Sequence, residues 1–224
     1  MRRVDFYFDY ISGYAYLAWV QLRTLCAKRN AQLAAHPTLF AGLLNHWGQL
    51  GPAEIEPKRR WAYSDAFRTA RIHGLPFSCP KFHPFNPLPA LRLSLAEVGG
   101  EAQHEIIDAI FHAGWGGGID LGSPEELCAA LDARGLDGAA LVEKAASPGA
   151  KVALKSSTDE ALSRGVFGVP SMIVGAELFW GSDRMEFVAL ALDGEDPLDR
   201  AWVDEVLSRP KMAERRPKKD PSPG

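Results

Sequence analysis

Two segments far apart in the sequence constrain the fold of this chain most. The segment 4–18 has the pattern of a strand, a tight loop containing Ser12 and the start of a helix. The segment 165–174 has the pattern of a helix end, a Val169-Pro170 bend and a second strand. These patterns predict two halves of one α/β unit, separated in sequence by most of the chain.

The composition limits the possible partners. A chain of 224 residues can form one domain, or one domain with a large insertion. Its hydrophobic content of 46% is normal for a protein with a buried core. The net charge of −3 gives no indication of a nucleic-acid partner. No stretch approaches the roughly 20 apolar residues of a membrane span, so we expect no membrane partner.

The cysteines indicate neither a metal nor a redox site. Cys26, Cys79 and Cys128 are widely spaced and form no Cys-x-x-Cys pair, and the six histidines have no chelating spacing. We therefore expect no metal, and three small buried thiols. Free thiols fit a reducing compartment, and no long apolar run follows the N-terminal arginines. The expected location is the cytoplasm.

The order of predicted elements indicates a mixed sheet. A strand at 4–8, a helix at 14–30 and a strand at 31–36 come first. Six helical stretches separated by glycine and proline follow, at 38–47, 57–73, 88–98, 101–113, 123–134 and 137–145. A helix at 151–164, a hairpin of 171–174 with 176–180 and a last helix at 183–192 complete the pattern.

The helical crossover makes the first two strands parallel, and the hairpin adds antiparallel strands. The prediction is an α/β fold in which an all-helical domain, 38–157, is inserted into a discontinuous sheet domain, 1–37 and 158–208. The Pro-, Lys- and Arg-rich segment 209–224 is expected to be a disordered, solvated tail.

An ordered set of short motifs adds a resemblance. They are Asp5-Phe6-Tyr7-Phe8-Asp9 running into Ser12, Leu39-Phe40, Gly51-Pro52, Pro57-Lys58, Asp65, Arg68, Gly74-Leu75-Pro76, Trp115, the run from Gly165 to Pro170, and the run from Phe179 to Arg184. With these motifs the chain resembles the 2-hydroxychromene-2-carboxylate isomerases and their relatives, the kappa-class glutathione transferases. The resemblance covers Val4 to about Leu192 and implies a thioredoxin-like sheet. Two positions depart from it: Gly13 replaces a proline, and Gln49 replaces an asparagine.

The resemblance implies that the cofactor is glutathione and that Ser12 is the catalytic residue. A helix start offers free N–H donors and a partial positive charge, which lower the pKa of a thiol placed there. The serine hydroxyl adds one more donor to the sulfur. By the same resemblance, the peptide bond before Pro170 is cis, and the main chain of Val169 pairs with the tripeptide as a short strand.

The remaining site residues come from the resemblance and from residue chemistry. Gln49, Lys58, Ser182 and Asp183 are expected to bind glutathione, the lysine through a carboxylate and the aspartate through the ammonium of the γ-glutamyl group. For Ser182-Asp183 a plain helix cap remains open, as does a solvated basic run for Lys58. The segment with Phe85 and Asn86, together with Trp180, is expected to hold a small aromatic carboxylate. Because proteins of the resembled family are commonly dimers, the resemblance also implies a homodimer.

The predicted activity is a glutathione-dependent isomerisation of a 2-hydroxychromene-2-carboxylate-like compound, in which a thiolate adds reversibly and a bond rotates. Two alternatives remain: a kappa-type glutathione transferase, and a glutathione-binding protein without turnover. A disulfide oxidoreductase is disfavoured because no cysteine lies near Ser12.

Overall fold

The computed structural model describes residues 2–213, so most of the predicted disordered tail, 214–224, lies outside the described residues. A four-stranded sheet contains β1 (Arg3–Phe8), β2 (Gln32–Pro37), β3 (Ser171–Val174) and β4 (Glu177–Trp180). Its strand order is β2-β1-β3-β4. β1 and β2 are parallel, and the β1–β3 and β3–β4 pairs are antiparallel, which confirms the predicted mixed sheet.

The helices of the described residues surround this sheet. They are α1 (Gly13–Lys28), α2 (Phe40–Trp47), α3 (Glu56–Ile72), α4 (Leu88–Leu93), α5 (Ala96–Gly99), α6 (Gln103–Phe111), α7 (Pro124–Asp132), α8 (Gly138–Ala146), α9 (Pro148–Ser163), α10 (Met185–Asp193) and α11 (Arg200–Ser208). None of the helices between residues 2 and 213 has the length and apolarity needed to cross a membrane.

The side chains of β1 separate two hydrophobic clusters. Val4, Phe6 and Phe8 face the larger cluster, which also contains residues of α1 and of the helical region. Tyr7 belongs to the smaller cluster on the opposite side of the strand. The Phe8 ring lies 5.5 Å from the Phe111 ring of α6, so the sheet and the helical region share one core. The helix α9 runs without a break across the expected domain boundary at 157/158.

Three details differ from the sequence predictions. The helix predicted at 88–98 is divided, because Leu95 is extended (φ −69°, ψ 143°) between α4 and α5. The helix at 183–192 is not the last: α11 follows, and the Asp199 side chain caps it by accepting from the N–H of Trp202. The three cysteines are free, but only Cys26 is buried, so the prediction of three buried thiols was wrong.

Candidate functional site

Ser12 caps the N-terminus of α1. Its backbone is extended (φ −103°, ψ 113°), and its Oγ accepts a 3.3 Å hydrogen bond from the N–H of Ala15. Among residues 2–213, no acceptor pairs with the N–H groups of Gly13 and Tyr14. The Ser12 hydroxyl proton and these two amides therefore remain available to a ligand at the positive end of a 16-residue helix.

Asp9 holds the beginning of the loop 9–12, which connects β1 to α1. Its Oδ1 accepts from the N–H of Ile11 at 3.0 Å, and its Oδ2 accepts from the N–H of Phe40, at the start of α2, at 2.9 Å. Burial raises the pKa of Asp9 to about 7, although both backbone hydrogen bonds act to lower it. Sequence reasoning did not identify this role. An Asp directly after a strand is the available signal, because its side chain readily bonds the backbone two residues later.

Val169 and Pro170 lie beside this loop. β1 and β3 pair with Tyr7 opposite Ser171, so the residues after β1 and before β3 meet at the same end of the sheet. The Val169-Pro170 bond is cis, as predicted. Within residues 2–213, neither the N–H nor the C=O of Val169 has a hydrogen-bond partner. This main chain is therefore free to pair with an extended peptide.

Ser182 and Asp183 form a 3₁₀ turn with Arg184 that packs on α1. Ser182 is buried, whereas Asp183 is exposed and its carboxylate lies 3.0 Å from the Arg184 guanidinium. Burial raises the pKa of Tyr14, as does its 2.8 Å hydrogen bond to Asp65, and the charge of Asp183 adds a smaller effect. The Asp183 carboxylate is thus close enough to the start of α1 for its charge to act on Tyr14.

Lys58 and Gln49 lie at the exposed edge. Lys58 is in the first turn of α3, and Gln49 follows the left-handed Gly48 (φ 62°) that ends α2. Both are exposed, and in the described part of the chain neither side chain forms a hydrogen bond or an ion pair with another residue. The structure therefore leaves both side chains free to contact a ligand.

The three predicted substrate residues each pack against a different part of the protein. Phe85 is half-buried, with its ring 6.1 Å from the ring of His83. The Asn86 side chain accepts from the N–H of Leu88 at 3.2 Å, at the start of α4. Trp180 packs instead on Phe167, at 5.3 Å between ring centroids. Next to Phe85, an open depression of about 750 Å³ is lined by Arg59, Tyr63, Cys79, Lys81, Phe82 and His83.

Two side chains from the helical region contact the loop before Ser12, and sequence reasoning assigned neither of them. The indole N–H of Trp115 donates to the C=O of Tyr10 at 2.8 Å, and Nε2 of His83 lies 2.8 Å from the C=O of Ile11. The Trp115 ring also covers Gly13, where an added Cβ would lie 2.9 Å from Cζ3. These contacts join residues about 70 and 105 positions apart, so no local pattern could have revealed them.

Residues 3–193 match the sequence profile of the DSBA-like thioredoxin domain. The chain belongs to this family. It is 31% identical over 189 residues to a 2-hydroxychromene-2-carboxylate isomerase of Sphingobium xenophagum, a match that covers 84% of this chain and 96% of that one. It is 26% identical over 210 residues to glutathione S-transferase kappa 1 of Homo sapiens, with 84% and 89% covered.

A solved structure of 2-hydroxychromene-2-carboxylate isomerase superimposes with a TM-score of 0.78 at 28% identity, and 92% of this chain and all of that chain (100%) are covered. The cytosolic disulfide reductase DsbM of Pseudomonas aeruginosa superimposes with a TM-score of 0.60 at 17% identity, which shows a common fold. These findings confirm the predicted thioredoxin-like fold, the predicted family and the prediction of an isomerase-like enzyme.

Proposed function

We propose that this protein is a glutathione-dependent isomerase of small aromatic carboxylates related to 2-hydroxychromene-2-carboxylate. The observation that carries the proposal is the Ser12 cap of α1 with two amides that have no partner among residues 2–213, at the same end of the sheet as the Val169 main chain, which also has no partner there. The 31% identity of the chain to such an isomerase supports this choice of reaction. We also propose that the protein acts as a homodimer in the cytoplasm.

The residues at the α1 start fit a tripeptide thiol. Ser12 and the N–H groups of Gly13 and Tyr14 are donors without protein partners in the described chain, which suits a sulfur anion. Val169 offers one N–H and one C=O, the pair that an extended cysteinyl residue requires. Asp183 suits an ammonium group, and Lys58 and Gln49 suit a carboxylate at the exposed edge.

Glutathione bound in this position would supply a thiolate that adds reversibly to a conjugated double bond, so that the bond can rotate before the thiol is released. The protein's contribution is to hold that sulfur ionised. A shift of one unit in the pKa of a thiol corresponds to about 1.4 kcal/mol. His83 does not act as a base for Ser12, because its ring nitrogens are bonded to Tyr63 and to the Ile11 carbonyl.

The depression beside Phe85 is the proposed place of the aromatic substrate. Its wall includes Tyr63 and Phe82, which offer apolar ring faces, and Arg59 and Lys81, which offer positive charge. Such a lining suits a flat ring that bears a carboxylate. Phe85 adjoins it through the contact between its ring and the ring of His83, which lines the depression.

The similarity to glutathione S-transferase kappa 1 supports a second candidate activity, a transfer reaction in which glutathione becomes part of the product. One experiment separates the two. The purified protein is incubated with 2-hydroxychromene-2-carboxylate, with and without glutathione, and the glutathione that remains is measured after conversion.

For an isomerase, we expect the substrate to be converted only when glutathione is present, and all of the glutathione to be recovered. Consumption of one thiol for each product would support the transferase. Equal conversion without glutathione would contradict both.

A further inference from the structure

Gly13, which follows Ser12, does not itself restrict the backbone conformation of the loop, because glycine has no Cβ. The loop must nevertheless keep the Ser12 hydroxyl and two amide groups directed at one ligand atom. The restraint therefore has to come from contacts made by other residues. The structure contains such contacts at two consecutive carbonyl groups, those of Tyr10 and Ile11.

We propose that His83 and Trp115 are positioning residues, which hold the Tyr10 and Ile11 carbonyls so that the Ser12 hydroxyl and the α1 amides stay aligned on a thiolate. The inference rests on the proposed function for the identity of the ligand group, a thiolate at the helix start. It goes further by assigning the alignment of that site to two side chains of the helical region.

The hydrogen bonds of His83 determine its tautomer. A carbonyl oxygen can only accept, so the proton must be on Nε2, which faces the Ile11 C=O at 2.8 Å. Nδ1 then accepts from the Tyr63 hydroxyl at 2.6 Å. Burial lowers the pKa of His83, and the nearby charge of Arg59 adds to this, so the ring stays neutral and keeps this tautomer at pH 7.

The two donors also support each other. The His83 ring packs against the Trp115 ring at 5.6 Å and against the Tyr63 ring at 5.5 Å. Arg59 donates to the His83 carbonyl at 3.0 Å, which holds the backbone of this residue as well. Trp115 is 2% exposed and stacks on Phe77. The donors thus belong to one packed aromatic group, and a packed group holds a hydrogen-bond direction better than a mobile side chain does.

The test uses a thiol built into the protein, so that no glutathione is required. The Ser12→Cys substitution is made in a chain that also carries Cys79→Ser and Cys128→Ser, which leaves Cys26 as a buried thiol. The pKa of the new thiol is measured from the pH dependence of its reaction with iodoacetamide.

We expect the thiol pKa to lie below the ordinary value of about 8.5. His83→Leu should raise it by roughly one unit, because the amides lose their alignment. His83→Gln, which keeps a side-chain N–H able to reach the Ile11 carbonyl, should restore most of the low pKa. A merely structural role for His83 would not distinguish Leu from Gln in this way.

His104→Gln is the matched control. His104 is also half-buried and packs on a tryptophan, Trp19, at 5.3 Å, but it does not contact the loop. It should leave the thiol pKa unchanged. If His83→Leu does not fold, Tyr63→Phe, which releases only Nδ1, should still raise the pKa by a smaller amount.

An unchanged thiol pKa in the folded His83→Leu or Tyr63→Phe protein would overturn the inference, as would equal shifts in His83→Leu and His83→Gln. Failure of the proposed function would be seen separately, as absence of glutathione-dependent turnover in the native protein.

Discussion

The Trp115 ring leaves no room for a side chain larger than hydrogen at position 13. In the Gly13→Ala variant, the new Cβ would lie 2.9 Å from Cζ3 of Trp115 and 3.2 Å from Cζ of Phe77. Trp115 is buried and donates to the Tyr10 carbonyl, so neither ring can move away without loss of packing or of that hydrogen bond. Insertion of a methyl group into such a packed site costs about 1–3 kcal/mol.

An opposing effect is smaller. Alanine is favoured over glycine in a helix by about 0.5–1 kcal/mol, and Gly13 is the first residue of α1. The net expectation is a loss of about 1 kcal/mol in the free energy of unfolding, and at most about 2.5 kcal/mol. For a chain of this size each kcal/mol lowers Tm by about 2–4 °C.

The assay is urea denaturation, with Gly149→Ala as the control. Gly149 lies in the first turn of α9, and an added Cβ there would meet only Ser147 Oγ, at 3.8 Å. That variant should be as stable as the native protein or slightly more so. If Gly13→Ala were also as stable as the native protein, the described packing of Trp115 on the loop would be refuted.

Three further variants test other parts of the structure. Ser12→Ala should lower kcat much more than it weakens glutathione binding, and its long 3.3 Å cap bond predicts a stability loss near the lower end of about 0.5–2 kcal/mol. The folded state holds the Asp9 proton more tightly than the unfolded chain, so stability should fall as pH rises from 3.8 to about 7. Asp9→Asn should remove this dependence of the free energy of unfolding on pH, which is up to about 1.4 kcal/mol per pH unit. Urea denaturation at several pH values between 3.8 and about 7 measures it. Gly168→Ala would place a Cβ 2.8 Å from Nε1 of Trp180, so a change in Trp fluorescence should report the displaced ring.

The sequence predicted the sheet because its signals are local. The β-branched and aromatic residues of β1 and the glycine-centred turn of the β3–β4 hairpin are patterns within a few residues. The helix cap at Ser12 is local as well, since the serine precedes the first turn that it caps. Element identity was therefore predictable from short windows, and the order of the elements gave the parallel and antiparallel pairs.

The alignment of the loop could not be predicted in this way. It depends on Trp115 and His83, which approach Tyr10 and Ile11 only after the helical region has packed on the sheet. The division of the 88–98 helix has a similar origin, because tertiary packing overrides helix propensity at Leu95. Asn86 shows the converse: its polar side chain suggested a ligand contact, whereas in the fold it bonds a backbone amide at the start of α4.

In the proposed mechanism, Ser12 and the backbone amides hold a thiol bound at the α1 start in its ionised form. The most direct measurement is the ultraviolet absorbance of the thiolate of bound glutathione as a function of pH, in the native protein and in Ser12→Ala. We expect a bound thiol pKa below about 8.5 in the native protein and a higher one in the variant. The same titration curve for free and bound glutathione, or for the two proteins, would contradict it.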